Sequence, residues 1–127
     1  ENVSSSTTKE EIIRSAFEAI AFSTKAIIET IEKTINLQIN ELKIDGGLSK
    51  SSFFSQYLAD LIGKKVKASK NSEMTSLGVA KLSLEKSGIS PDIKNSYNEY
   101  NPKNDKQNIY LDKYKKWKKL IEKKIKN

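Results

Sequence analysis

The stretch from Ile44 to Phe54, Ile-Asp-Gly-Gly-Leu-Ser-Lys-Ser-Ser-Phe-Phe, holds the arrangement in this chain best suited to chemistry. An apolar approach ends in Asp-Gly-Gly, and a serine-rich helix start follows. Successive backbone N–H groups at a glycine turn before a helix converge on one small volume, and the helix dipole adds partial positive charge there. An anion suits that volume. Glycine lets a ligand approach the backbone without a Cβ in the way, and serines at 49, 51 and 52 can donate further hydrogen bonds. The same string also serves as a plain strand-to-helix connection, and neither the dinucleotide-binding nor the Walker A glycine pattern is present. Asp45, at the end of a strand, is placed to act as a general base, a magnesium ligand or a turn-stabilising Asx residue. Glu73, Thr75 and Gly78 on a later helix could line the same crevice, although a glutamate in a first helical turn is first of all a dipole partner.

Composition removes several other chemistries. The 127 residues include no cysteine and no histidine, so disulfides, thiolate metal sites and histidine-based triads are excluded. No apolar run approaches the roughly 18 to 20 residues of a membrane span, and the first residues lack the pattern of a signal peptide, so a cytoplasmic protein without a membrane partner is expected. The net charge of +7 is uneven: residues 1–102 hold 13 basic and 13 acidic side chains, whereas residues 103–127 hold 10 lysines and 3 acidic ones. For that tail a solvated helix face is favoured over nucleic-acid binding, because no base-stacking platform accompanies it.

The elements that must position the turn follow from periodicity. Thr7 with Glu10, or Thr8 with Glu11, fits a capping box that opens a helix over about residues 8–37. Ile13, Phe17, Ile20, Ile27 and Ile31 recur on one side, with Ile12, Ala16, Ala19 and Ala26 beside them, so this helix is expected to be largely buried. Leu42-Lys43-Ile44 reads as a short strand. Ser49 is expected to cap a second helix, about 50–62, burying Phe53, Phe54, Tyr57, Leu58, Leu61 and Ile62 and closing at Gly63. Lys65-Val66-Lys67-Ala68 is a second brief strand, and Asn71 or Ser72 caps a third helix, about 73–87, that closes at Gly88. Gly78 inside that helix points to close approach of another element or a ligand. Residues 90–107, with Pro91 and Pro102, read as a polar loop, and residues 108–127 as a basic amphipathic helix with the stripe Tyr110, Tyr114, Trp117, Ile121.

Three blocks, EEIIRSAFEAIAFSTKAIIETIE, LKIDGGLSKSSFFSQYLADLIGKKV and SEMTSLGVAKLS, resemble in order and spacing the C-terminal domain of the FGGY carbohydrate kinases, and within that family its glycerol-kinase branch. The likeness covers about residues 9–84, and YKKWKKLI is similar to the end of those enzymes. It implies an α/β fold, part of an actin-like, ribonuclease-H-like ATPase domain, here a helix-rich fragment with two short strands. It also implies transfer of the γ-phosphoryl group of ATP, with Mg²⁺, to a polyol hydroxyl across a cleft between two domains. The family's Asp-Gly-Gly turn touches the nucleotide, which falls on Asp45, Gly46 and Gly47. An asparagine four residues after the second glycine, near the adenine in some members, corresponds here to Ser51. The Met-Thr-x-Leu-Gly segment supports the same cleft through Met74, Thr75 and Gly78. The resulting expectation divides the chain into a nucleotide-side domain over 1–89, a polar loop over 90–107 and a basic helix over 108–127.

Phosphoryl transfer needs positioned phosphates, a metal and a base for the attacking hydroxyl, and this chain supplies only the first. The resemblance assigns the polyol site and the catalytic aspartate to an N-terminal kinase domain that the chain lacks, so a fragment, inactive alone, is expected. The alternative is a non-enzymatic module that binds nucleic acid or an acidic partner through the tail. The wide apolar stripe of the first helix, with two short strands to cover it, predicts an exposed apolar patch or self-association.

Overall fold

The structure, a computed structural model, describes residues 3–71, 73–90, 95–103 and 105–125. The chain divides into two compact units, one formed by residues 1–39 and 103–127 and the other by residues 40–102.

The first unit pairs helix α1, Lys9–Ile35, with helix α4, Gln107–Ile125. Thr8 and Glu11 form the predicted capping box: the Thr8 hydroxyl accepts from the Glu11 N–H at 3.2 Å, and the Glu11 carboxylate accepts from the Thr8 N–H at 2.9 Å. Asn36 ends α1 in the left-handed conformation, which its short polar side chain tolerates better than most. The buried stripe of α1 is Ala21, Phe22 and Ile28, while Ile12, Ile13, Ile20, Ile27 and Ile31 are exposed. The expected burial of the isoleucine side is therefore corrected. Phe22 lies half a helical circumference from Ile13, at 100° per residue, and α4 covers the Phe22 side. Its predicted aromatic stripe supplies the contact: Tyr114 and Trp117 lie 5.9 and 5.8 Å from the Phe22 ring. Polar pairs select the same side, because Lys113 reaches Glu18 at 2.8 Å and Lys118 reaches Glu29 at 3.4 Å. The Tyr114 hydroxyl donates to Glu29 at 2.7 Å. Burial alone would push the Glu29 carboxyl up, but the Tyr114 hydrogen bond and the Lys25 and Lys118 charges together hold it below its ordinary value. Burial and the hydrogen bond to Glu29 raise the Tyr114 phenol.

The second unit is built on three strands, β1 Glu41–Ile44, β2 Lys65–Ser69 and β3 Tyr97–Tyr100, in the order β1-β2-β3. β1 and β2 run parallel and β3 returns antiparallel to β2. The strand β3 corrects the reading of residues 90–107 as loop, and the count of two strands becomes three. Ser72 and Pro91 lie outside the described residues.

Helix α2, Ser52–Ile62, joins the parallel strands. Its N-cap is Ser51, whose hydroxyl accepts from the Phe54 N–H at 3.2 Å, rather than Ser49 as predicted. Phe54, Tyr57, Leu58, Leu61 and Ile62 are buried as expected, with Val66 and Ala68 of β2, whereas Phe53 is 47% exposed. Each fully buried leucine of this kind contributes roughly 1.5–3 kcal/mol. Gly63 ends α2 in the left-handed conformation, and its N–H returns to the Ala59 carbonyl at 2.9 Å. On the other side of the sheet, Lys67 meets Glu41 at 2.7 Å and Glu99 at 3.5 Å, and Lys65 meets Glu99 at 3.2 Å. The hydrogen bond with Glu41 is the main cause raising Lys67, and that with Lys65 the main cause lowering Glu99.

Helix α3, Met74–Lys86, has no buried residue. Asn71 does not cap it in the ordinary way: its side-chain oxygen accepts from the Glu73 N–H at 2.9 Å, one residue ahead of the helix. Gly88 closes α3 in a Schellman turn, with the Ile89 N–H on the Leu84 carbonyl and the Gly88 N–H on that of Glu85.

Candidate functional site

Parallel pairing of β1 and β2 places their C-terminal ends together, and the antiparallel β3 brings its first residue to the same end, with Ser69 opposite Tyr97. In open α/β sheets this is the end where ligands bind. The chain leaves β1 through Asp45 and enters Gly46 at φ 83° and ψ −168°, a region open in practice only to glycine. Residues Gly47–Lys50 then form one 3-10 turn before Ser51 caps α2.

Ser49 fixes this connection. Its N–H and its hydroxyl both donate to the Gly46 carbonyl, at 3.2 and 2.7 Å, and the residue is 4% exposed. The role assigned to Ser49 thus passes to Ser51, two residues later. A Cβ built on Gly46 or on Gly47 meets no atom within 4 Å, so open space fronts the turn on both residues. Ser51 accepts from Phe54, which leaves its hydroxyl proton to donate elsewhere.

Beside the turn lies a hollow of about 190 Å³ lined by Lys43, Ile44, Asp45, Ser69, Met74 and Tyr97. The Lys43 ammonium stands 5.6 Å over the Tyr97 ring. Ser69 shapes the floor: its hydroxyl donates to the Asn71 carbonyl at 2.8 Å and accepts from the Asn71 N–H at 3.1 Å. Asp45 and Met74, both singled out from the sequence, therefore share a cavity. Gly78 lines a smaller hollow of about 100 Å³ with Met74, Leu77, Lys81 and Asn95. No atom comes within 4 Å of a Cβ placed on Gly78, so among the described residues no other element makes a close approach there. Thr75 and Glu73 are exposed and line neither hollow. Lys43, Ser69 and Tyr97 were not anticipated, because strand register rather than any contiguous motif brings them together.

Among the described residues no group of three or more acidic side chains gathers to hold a metal ion. Among the described residues Asp45 is a single carboxylate lining the hollow at the strand ends, which does not fit a metal cradle of its own.

Residues 1–84 match the FGGY family of carbohydrate kinases, C-terminal domain. This chain belongs to that family. A glycerol kinase of Saccharolobus islandicus (strain M.16.27) is 45% identical over 76 residues, which cover 60% of this chain and 15% of that enzyme. A glycerol kinase of Clostridium perfringens (strain SM101) is 36% identical over 124 residues, covering 91% of this chain and 24% of the enzyme. The chain therefore spans a quarter or less of the length of these relatives. Among solved structures, the glycerol kinase of Plasmodium falciparum with ADP is similar at a TM-score of 0.69 and 26% identity, over 97% of this chain and 26% of that one. A xylulose kinase from Brucella ovis has the same fold, with a TM-score of 0.72 at 15% identity over 93% of this chain and 25% of its own. The actin-like α/β class of these FGGY kinases is the fold of this chain, helix-rich with a small three-stranded sheet. No helix among the described residues is long and apolar enough to cross a membrane.

Proposed function

We propose that this chain is the nucleotide-side part of a glycerol-kinase-type phosphotransferase, in which ATP donates its γ-phosphoryl group to a polyol hydroxyl. The observation that carries the reading is the Asp45-Gly46-Gly47 turn at the shared end of two parallel strands, within a chain of the FGGY family. Gly46 and Gly47 present backbone to open space, and Ser51 adds a hydroxyl at the head of α2. Asp45 stands at the same strand end, where its carboxylate would accept from a ribose hydroxyl or meet a metal carried by the nucleotide's own phosphates. Similarity to a glycerol kinase solved with ADP supports nucleotide use.

The chain binds and orients one side of the nucleotide. It has no histidine, and among the described residues no second carboxylate joins Asp45 in the hollow to take the acceptor's proton. The polyol site and the base belong, on this reading, to an N-terminal kinase domain supplied by other sequence. Calorimetric titration should show ADP binding to the purified chain, weakened in a Gly47→Val variant whose side chain fills the open space. Glycerol with Mg-ATP should give no turnover. Absence of ADP binding under conditions where the sheet is folded would refute the assignment, and robust ADP production by the chain alone would refute its inactivity.

A further inference from the structure

Three lysines stand on the side of the sheet away from α2: Lys43 on β1, and Lys65 and Lys67 on β2. Two are neutralised, Lys67 by Glu41 and Glu99 and Lys65 by Glu99. Lys43 differs. It makes no ion pair among the described residues; its ammonium rests 5.6 Å over the Tyr97 ring, at the wall of the hollow that also holds Asp45. An ammonium over an aromatic face keeps its charge and its hydrogen-bond donors, since the ring attracts it without accepting a strong bond. Register fixes the position: Lys43 lies beside Lys67 across the parallel pair, and Tyr97 lies beside Ser69 across the antiparallel one, so β2 sets the spacing between them.

We infer that Lys43 is a phosphate-binding residue of the nucleotide site and that Tyr97 is the residue that positions it, an assignment resting on the nucleotide reading of the Asp45-Gly46-Gly47 turn. The ligand class is a nucleoside di- or triphosphate. Lys43 stands two residues before Asp45 and both line the hollow, so a phosphate chain lying along the turn comes within reach of the Lys43 side chain. Backbone N–H groups orient an anion there but bring no full charge, and among the described residues Lys43 is the one lysine that lines the hollow. A charge-assisted contact of this kind is worth about tenfold or more in affinity.

The test compares ADP with adenosine, which lacks the phosphates, on the wild-type chain and on Lys43→Gln, Tyr97→Leu and Tyr97→Phe. Far-UV circular dichroism and thermal midpoints check that each variant is folded; Lys43→Gln keeps a polar side chain on an exposed strand position. Expected is a loss of about tenfold in ADP affinity for Lys43→Gln with adenosine affinity unchanged, a smaller loss for Tyr97→Leu, and recovery in Tyr97→Phe, which retains the ring. Raising the salt concentration should weaken ADP binding to wild type more than to Lys43→Gln. Binding of neither ligand to wild type overturns the nucleotide reading and this assignment with it. Wild-type binding of both, with Lys43→Gln unchanged or weakened equally for ADP and adenosine, overturns this assignment alone.

Discussion

Gly46→Ala isolates the backbone requirement of the turn. At φ 83° and ψ −168° an L-residue is strained by roughly 1–3 kcal/mol. The added methyl itself meets nothing within 4 Å, so no neighbouring side chain contributes to that figure. Relaxing the backbone instead would move the Gly46 carbonyl away from the Ser49 N–H at 3.2 Å and the Ser49 hydroxyl at 2.7 Å. Two such bonds, each worth about 1 kcal/mol net, set a comparable cost for escape. Either route gives about 2 kcal/mol of destabilisation in the unit of residues 40–102. Gly47→Ala is the control, since Gly47 has no positive φ and its Cβ also meets open space; its effect on stability should stay within about 0.5 kcal/mol. The sole tryptophan, Trp117, lies on α4 in the other unit, so its fluorescence is the wrong probe. Amide hydrogen exchange in β1 and β2 reports the correct unit. Equal protection in wild type and Gly46→Ala, or equal losses in the two alanine variants, would refute the claim that one left-handed glycine sets this turn.

Further outcomes follow from the same geometry. Ser51→Ala should cost about 1 kcal/mol through loss of the α2 cap, and Ser51→Asn should be nearly neutral because asparagine caps as well, both read by chemical denaturation. Leu58, 1% exposed, should cost 2–5 kcal/mol when changed to alanine, in roughly the range for a buried leucine, measured by the same method. Glu29 has a folded value held below its ordinary 4.5, so its contribution is present above that pH and is lost as pH falls through the lower folded value. Trp117 fluorescence should therefore show acid loosening of the α1–α4 pair; Tyr114→Phe should cost about 1 kcal/mol near neutrality and reduce that acid-dependent loss. Ile20→Lys with Ile27→Lys should leave helix content intact and lower apolar-dye binding and light scattering, whereas a wild-type chain that is monomeric and binds no dye would contradict an adhesive isoleucine face.

The elements whose signals are local were legible. Thr8 and Glu11 sit three residues apart and satisfy each other's backbone, Gly63 and Gly88 take left-handed conformations at helix ends, and the alternation in Leu42-Lys43-Ile44 needs only its own neighbours. β3 was hidden for the converse reason. Tyr-Asn-Glu-Tyr is four residues long in a run of asparagine and serine, and its strand state depends on pairing with β2, about thirty residues earlier in the chain. The side of α1 that is buried was also undetermined by periodicity, because apolar residues occupy most of the helix circumference. Glu18, Lys25 and Glu29 decide it, since they offer partners to Lys113, Tyr114 and Lys118 on the Phe22 side and the isoleucine stripe offers none.

For the site the same division applies, with a functional consequence. Asp45, Gly46 and Gly47 are contiguous, so a motif displays them; Lys43, Ser69 and Tyr97 come from three strands, and only the register joins them. Ser49 illustrates how a correct residue can carry an incorrect role. A serine before an apolar helix suggests a cap, but the intervening 3-10 turn shifts the cap to Ser51 and turns Ser49 inward to hold the Gly46 carbonyl. On the proposed nucleotide reading, that inward bond matters for binding. Backbone N–H groups recognise an anion strongly when their directions are fixed before the ligand arrives, and a glycine pair left to itself would supply the opposite, two residues of high conformational freedom. Ser49 removes that freedom from within the fold, which on the proposed nucleotide reading leaves the open side of the turn to backbone, Ser51 and Asp45.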